Sequence, residues 1–137
     1  MKVVAIDYGS ARTGVAVSDP SGTIARPLEV VERAGSEAGL ARLAELIRAA
    51  EAERVVVGLP LTLRGERGAQ ARETEAFVEA LRSAVDVPVE SFDERFTTRL
   101  ARTGPRNTPR DRSEPDDARA AAHLLSSYLE WSSAGRE

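Results

Sequence analysis

The fold turns on the first eighteen residues, Met1-Lys2-Val3-Val4-Ala5-Ile6-Asp7-Tyr8-Gly9-Ser10-Ala11-Arg12-Thr13-Gly14-Val15-Ala16-Val17-Ser18. Met1 to Ile6 is a short apolar run rich in strand formers, and Asp7-Tyr8-Gly9-Ser10 interrupts it with turn residues. Gly14 to Ser18 resumes as a second strand. Asp19-Pro20-Ser21-Gly22 turns the chain again, and a third strand runs from Thr23 toward Val31. Links this short require antiparallel neighbours, because parallel strands need a long crossover.

Beyond this meander the period changes. Leu40, Leu43, Ala44 and Ile47 are spaced as one helical face, so 36–52 reads as an amphipathic helix, with Ser36 as its N-cap and Glu37 in its first turn. Arg54-Val55-Val56-Val57-Gly58-Leu59-Pro60 is apolar without alternation, as in a strand covered on both faces. A polar loop over 65–68 leads into a second helix over 69–84, with Thr74, Phe77, Val78 and Leu81 on one face. Val87 to Phe92 is a fifth strand, and Pro88 confines it to an edge or marks its start. Three prolines, a glycine and many charges make 103–115 an irregular, mobile loop. A last helix begins near Asp116 with a stripe of Ala118, Ala121, Ala122, Leu125 and Leu129, and 132–137 is expected to be a disordered tail. The order β-β-β-α-β-α-β-α predicts one α/β domain over 1–131. It is a five-stranded mixed sheet, three antiparallel strands followed by parallel ones, with helices on both faces.

Composition narrows the chemistry. The 137 residues carry a formal net charge of −3, 42% hydrophobic and 30% charged residues, and only 4% aromatics, so the core is aliphatic. Cysteine is absent and His123 is the single histidine, which rules out thiolate and multi-histidine metal sites. Any metal must be a hard cation on oxygen ligands. A pI near 5.4 excludes a protein that coats DNA through overall charge but not an enzyme with a local basic patch. With no secretion signal and no apolar run near the ~20 residues of a membrane span, a cytoplasmic protein without membrane partners is expected.

In open α/β sheets, sites form at the carboxyl ends of strands. Asp7 follows strand one, Asp93 and Glu94 follow strand five, and Asp116 and Asp117 open the last helix. With strand one central and strand four beside it, these segments can converge. Clustered carboxylates repel one another and a cation relieves them. Mg²⁺, or Mn²⁺, on such ligands activates water for phosphodiester hydrolysis without a histidine base. Each acid also has a plainer use. Asp7 and Asp93 suit turns, with Asp93 the better turn former of its pair and Glu94 the better ligand. Asp116 and Asp117 suit the helix cap. Asp117 shares its face with Ala120, Ala121 and Leu124 and so leans toward the protein, whereas Asp116 leans about 100° away.

Candidates for gripping phosphate are Arg12 in the first turn, Arg95 after Glu94, Arg64 and Arg67 after strand four, the hydroxyls of Thr97 and Thr98, and Arg102, Arg106, Arg110 and Arg112 in the 103–115 loop. Their alternatives are a solvated surface for the arginines, pairing of Arg12 with Asp7 or Asp19, and helix capping for the threonines. Gly9 and Gly14 serve either close substrate approach or turn geometry. Tyr128 and Trp131 read better as core than as a stacking platform.

Asp7-Tyr8-Gly9-Ser10-Ala11-Arg12-Thr13-Gly14-Val15-Ala16 resembles the opening motif of the YqgF family, also called RuvX. Val57-Gly58-Leu59-Pro60 with Gly65 resembles its second motif, Phe77 and Leu81 match the helix that follows, and Asp93-Glu94-Arg95-Phe96-Thr97-Thr98 is similar to its third. Asp117-Ala118 through Ala121, Leu125, Tyr128 and Leu129 resembles its closing helix. The resemblance implies a ribonuclease H-like fold related to RuvC-type resolvases, and an acidic triad at Asp7, Glu94 and Asp117. It implies a nuclease that matures the 5′ end of precursor 16S rRNA or resolves branched DNA, with nucleic acid and ribosomal particles as partners. Two departures stand out: Gly58 occupies a position where RuvC-type resolvases place a glutamate, so Glu94 would replace it from a neighbouring strand, and 99–115 is short and proline-broken where the family has a helix and a basic stretch.

Three functions follow for comparison. The first is a metal-dependent endonuclease, acting as a monomer or, as junction symmetry favours, a homodimer. The second is a binding module for nucleic acid or the ribosome without catalysis. The third, an actin-like phosphotransferase lobe, shares the Asp-x-Gly opening but needs a second lobe to enclose ATP.

Overall fold

A computed structural model describes residues 1–62, 64–96 and 116–133, with the side chains of Phe96, Asp116, Asp117 and Ser133 excepted. Five strands are present: β1 (Val3–Asp7), β2 (Arg12–Ser18), β3 (Ala25–Glu32), β4 (Arg54–Leu59) and β5 (Val89–Asp93). The helices are α1 (Glu37–Ala50), α2 (Ala69–Ala84) and α3 (Asp116–Ser133), and one 3₁₀ turn spans Glu94–Phe96. The sheet order is β3-β2-β1-β4-β5. The β1–β2 and β2–β3 pairs are antiparallel, with a register shift at Val15/Ala16, whereas β1–β4 and β4–β5 are parallel. Strand one is central, between the antiparallel pair it forms with β2 and the parallel pair it forms with β4.

Strand alternation sorts the core onto two faces. Val4, Ile6, Val15, Val17, Val55 and Val57 meet Leu43, Leu46 and Ile47 of α1 and Phe77, Val78 and Leu81 of α2. On the other face Val3, Ala5, Ala16, Val56 and Phe92 meet Ala121, Ala122, Leu124, Leu125 and Tyr128 of α3. β4 is covered from both sides, which accounts for its unbroken apolar sequence.

Local chemistry sets the ends of these elements. The Ser36 hydroxyl accepts the Gly39 N–H at 3.0 Å and caps α1. Glu51 ends that helix in the left-handed region, φ 57°, and its N–H returns to the Arg48 carbonyl at 3.0 Å. Pro88 lies just before β5, where it keeps its carbonyl for the Val55 N–H at 2.9 Å and needs no donor of its own. The Arg82 guanidinium donates twice to the Val89 carbonyl, at 3.0 and 2.9 Å, on this edge strand.

Two expectations need correction. α3 continues through Ser132 and Ser133, into the stretch expected to be a disordered tail. Its last turns are anchored by aromatics: Phe92 packs edge-on against Tyr128 and Trp131, with centroids 5.5 and 5.4 Å apart. Ala120, expected on the inward face with Asp117, is exposed, while Ala121 and Leu124 are buried. The 103–115 loop lies outside the described residues.

Candidate active site

Asp7 is the last residue of β1, on the face that α3 covers, two alternations beyond Val3. Across β2 it pairs with Gly14. On the other side the Ile6–Val57 register puts Gly58 of β4 next to it. Asp7 is thus flanked in its row by two glycines.

The space over Gly58 is taken from β5. A Cβ built on Gly58 would lie 2.7 Å from Glu94 Oε2, 3.1 Å from Glu94 Cγ and 3.1 Å from Leu124 Cδ2. The 3₁₀ turn after β5 therefore folds Glu94 back across the end of β4 toward β1. Asp93 organises that turn: its carboxylate accepts the Arg95 backbone N–H at 2.9 Å and the Arg95 guanidinium at 2.7–3.1 Å. The Arg95 hydrogen bond holds the Asp93 carboxyl below the usual carboxylate range. Asp93 forms the turn, and Glu94 lines the cleft.

Asp7 and Glu94 line one cleft of about 170 Å³, together with Tyr8, Gly9, Ser10, Pro60, Gln70, Glu73 and Thr74. A water occupies ~30 Å³ of liquid, so the volume admits an ion with several waters and a phosphate edge. The cleft floor is cross-linked by hydrogen bonds. Thr13, fully buried, donates its hydroxyl to the Gly9 carbonyl at 3.1 Å and accepts the Gly9 N–H at 3.2 Å. A Cβ at Gly9 would lie 2.4 Å from the Arg12 carbonyl oxygen, so that glycine serves the tight turn. Tyr8 stacks on Phe77 of α2 at 4.3 Å.

Gln70 and Glu73 form the opposite wall, and sequence reasoning missed both. They are exposed and sit on the polar side of α2, as solvent-facing residues would. Their i, i+3, i+4 spacing with Thr74 was the available signal. Only the seating of the α2 amino end beside β1 turns it toward the cleft.

The third expected acid, Asp117, is in the first turn of α3, and its side chain lies outside the described residues. The helix direction is set farther along. Leu124 packs over Gly58 at the carboxyl end of β4, while the Tyr128 hydroxyl accepts from Arg54 Nη1 at 2.9 Å at the amino end. α3 therefore runs against β4, and its first turn belongs to the same rim of the sheet as Asp7 and Glu94. Among the described residues no three acids or histidines are close enough to hold a metal.

The basic candidates separate. Arg12 lines a neighbouring cavity with Ser10, Ala11, Glu32 and Arg33. Arg95 is engaged by Asp93, and Arg67 pairs with Glu75 at 2.6 Å. Arg64 is exposed. Thr97, Thr98 and the arginines of the 103–115 loop lie outside the described residues. His123 is exposed, and Tyr128 and Trp131 complete the core.

A protein of Chloroflexus aurantiacus named "Putative pre-16S rRNA nuclease" is 41% identical over 131 residues, covering 93% of this chain and 86% of that one. One of Syntrophomonas wolfei with the same name is 35% identical over 140 residues, covering 100% and 99%. The solved structure of Thermus thermophilus RuvC in complex with Holliday junction substrate superposes with a TM-score of 0.67 at 22% identity, covering 98% of this chain and 96% of that one. The sheet and its helices are therefore the ribonuclease H-like fold of RuvC. Matched over residues 1–131 by the RuvX family, described as Holliday junction resolvase, the chain belongs to that family of phosphodiester-cleaving enzymes.

Proposed function

We propose that the chain is a divalent-metal-dependent endonuclease that processes the 5′ end of precursor 16S rRNA, with Asp7, Glu94 and Asp117 holding Mg²⁺ or Mn²⁺. The observation that carries this reading is the shared cleft of Asp7 and Glu94, with the Glu94 carboxylate seated over Gly58. The donors suit a hard cation, being carboxylate oxygens with hydroxyl and carbonyl groups nearby and no thiol in the chain. The choice of substrate is supported by the names of the curated relatives, which mention pre-16S rRNA.

When bound, the ion supplies Lewis acidity and lowers the pKa of its water. The residues of the chain orient and shape the reaction. Asp7 and Glu94 fix the position of the cation against two different strand ends, so their separation is set by the sheet. The Thr13–Gly9 staple keeps the cleft floor from moving, and Tyr8 and Pro60 limit water on the cleft walls. Arg12, Arg64, Arg67, Arg95, Thr97 and Thr98 are the proposed contacts to substrate phosphates, with Arg67 and Arg95 having to exchange Glu75 and Asp93 for phosphate. Residues 1–131 act as one domain in this reading, with nucleic acid the partner and ribosomal particles its setting.

A second reading, cleavage of four-way DNA junctions, is favoured by the family description and the RuvC-like fold. The full chain should be incubated with a 5′-extended 16S rRNA fragment, a four-way junction and a linear duplex, with Mg²⁺, Mn²⁺ or EDTA. The proposal expects metal-dependent cutting of the rRNA fragment. Asp7→Asn should slow it at least about a thousandfold at unchanged circular dichroism. Cutting of the junction alone selects the second reading. Undiminished cleavage by Asp7→Asn refutes the assignment, and nucleic-acid binding that ignores EDTA and yields no cleavage selects a non-catalytic binding module.

A further inference from the structure

The acidic cleft opens beside a basic one. We propose that Arg33, together with Arg12, forms a subsite for a backbone phosphate of the substrate next to the cleaved bond; this rests on the nuclease reading above. The cavity measures about 420 Å³ and is lined by Ser10, Ala11, Arg12, Glu32 and Arg33. Ser10 also lines the acidic cleft, so the two share a rim residue and a strand leaving one passes the other.

The two arginines are brought together by backbone, not by chance of side-chain reach. Arg12 pairs with Glu32 in the β2–β3 ladder. The Arg33 N–H donates to the Ala11 carbonyl at 3.0 Å, and the Arg33 carbonyl accepts from the Ser36 N–H at 2.9 Å and the Ser36 hydroxyl at 2.7 Å. These bonds hold Arg33 at φ 49°, in the left-handed region that favours glycine or asparagine. An arginine sits where glycine would fit at lower cost. Among the described residues its guanidinium has no ion pair, whereas Arg67 and Arg95 are each held by a carboxylate.

Charge gives the subsite its purpose. The chain carries a formal charge of −3, and Asp7, Glu73 and Glu94 face the cleft that must receive a polyanion. The two exposed guanidiniums at the mouth offset that repulsion locally, and Arg33 offers a forked donor to a phosphate.

The test measures affinity in an Asp7→Asn background, which holds substrate uncut, using a fluorescent 5′-extended 16S rRNA fragment over a range of NaCl. Arg33→Ala is expected to weaken binding about five- to tenfold at 100 mM salt and to lower the slope of log K against log salt by about one. Arg26→Ala, an exposed arginine at the other end of β3 with the same charge change, is expected to leave both unchanged. In the active chain Arg33→Ala should raise KM without altering kcat, and Arg33→Lys should restore the slope. Arg33→Gly separates binding from folding: it relieves the left-handed backbone, so melting temperature should hold or rise while affinity falls. If Arg33→Ala matches Arg26→Ala in slope and KM while the chain still cleaves, the subsite alone is overturned. If the wild-type chain cleaves nothing, the nuclease reading falls and the subsite with it.

Discussion

On the face covered by α1 and α2, β1 contributes Val4 and Ile6; on the face covered by α3 it contributes Val3, Ala5 and Asp7. The first face is filled by Leu43, Leu46, Ile47, Phe77 and Leu81, large side chains that interlock to the end of the strands. The second uses Ala5, Ala16, Ala121 and Ala122 under α3 and thins to Gly14 and Gly58 at the carboxyl rim. Large residues leave no space for chemistry, whereas small ones bring the helix close and then open a gap where the strands stop. One two-residue period thus puts the large side chains on one face and the Asp7 row on the other, and the cleft opens at the carboxyl rim, where Asp7 and Glu94 meet Gln70 and Glu73 of α2.

That contrast can be broken on either face. The largest effect is expected from Leu43→Ala, which empties a fully buried site under α1. It should cost about 2–5 kcal/mol in denaturant unfolding while leaving kcat of the folded molecules unchanged. Gly58→Ala should do the reverse. Its Cβ meets the Glu94 side chain from Cγ to the carboxylate and the tip of Leu124, side chains and no backbone, and alanine suits a strand no worse than glycine. Cleavage should fall about tenfold or more, with a rise in the Mg²⁺ needed for half-maximal rate and little change in melting temperature. A Gly58→Ala chain with wild-type metal dependence would show that the Glu94 carboxylate need not sit over β4.

Acid stability sharpens the contrast from outside both faces. The Asp19 carboxylate accepts the N–H groups of Thr23 and Ile24 at 2.7 and 2.8 Å, and the Ser21 hydroxyl, in the β2–β3 turn. These bonds, Ile24 first, hold its pKa far below the ordinary value. A carboxyl depressed in the folded state stabilises above its unfolded pKa, ~4, and loses that contribution as pH falls further. Urea melts should therefore weaken below about pH 4, and Asp19→Asn should flatten that limb without touching activity at pH 7.

Much of this architecture was legible along the chain. Short turns forced the β1–β2–β3 meander, Ser36 marked its helix, and Val55 to Val57 announced a strand buried on both faces. Legibility stopped where three dimensions add what spacing does not contain. The 3₁₀ turn at Glu94–Phe96 is too short to show a period, yet it is what folds Glu94 over Gly58. Gln70 and Glu73 read as solvent-facing until α2 is seated beside Asp7. Spacing places Arg95 next to Glu94, but its pairing with Asp93 two residues away is decided by the turn. The helix runs on through Ser132 and Ser133, which spacing did not show, because Tyr128 and Trp131 pin the end of α3 to Phe92.

The central claim is that Asp7 and Glu94 grip one cation from two strand ends. Calorimetric titration of Mn²⁺ into the wild-type chain, Asp7→Asn, Glu94→Gln and, as a control from the opposite end of the sheet, Asp86→Asn tests it directly. The account predicts that Asp7→Asn and Glu94→Gln each weaken binding at least about tenfold while Asp86→Asn binds as wild type. Wild-type Mn²⁺ affinity in both cleft variants would contradict it.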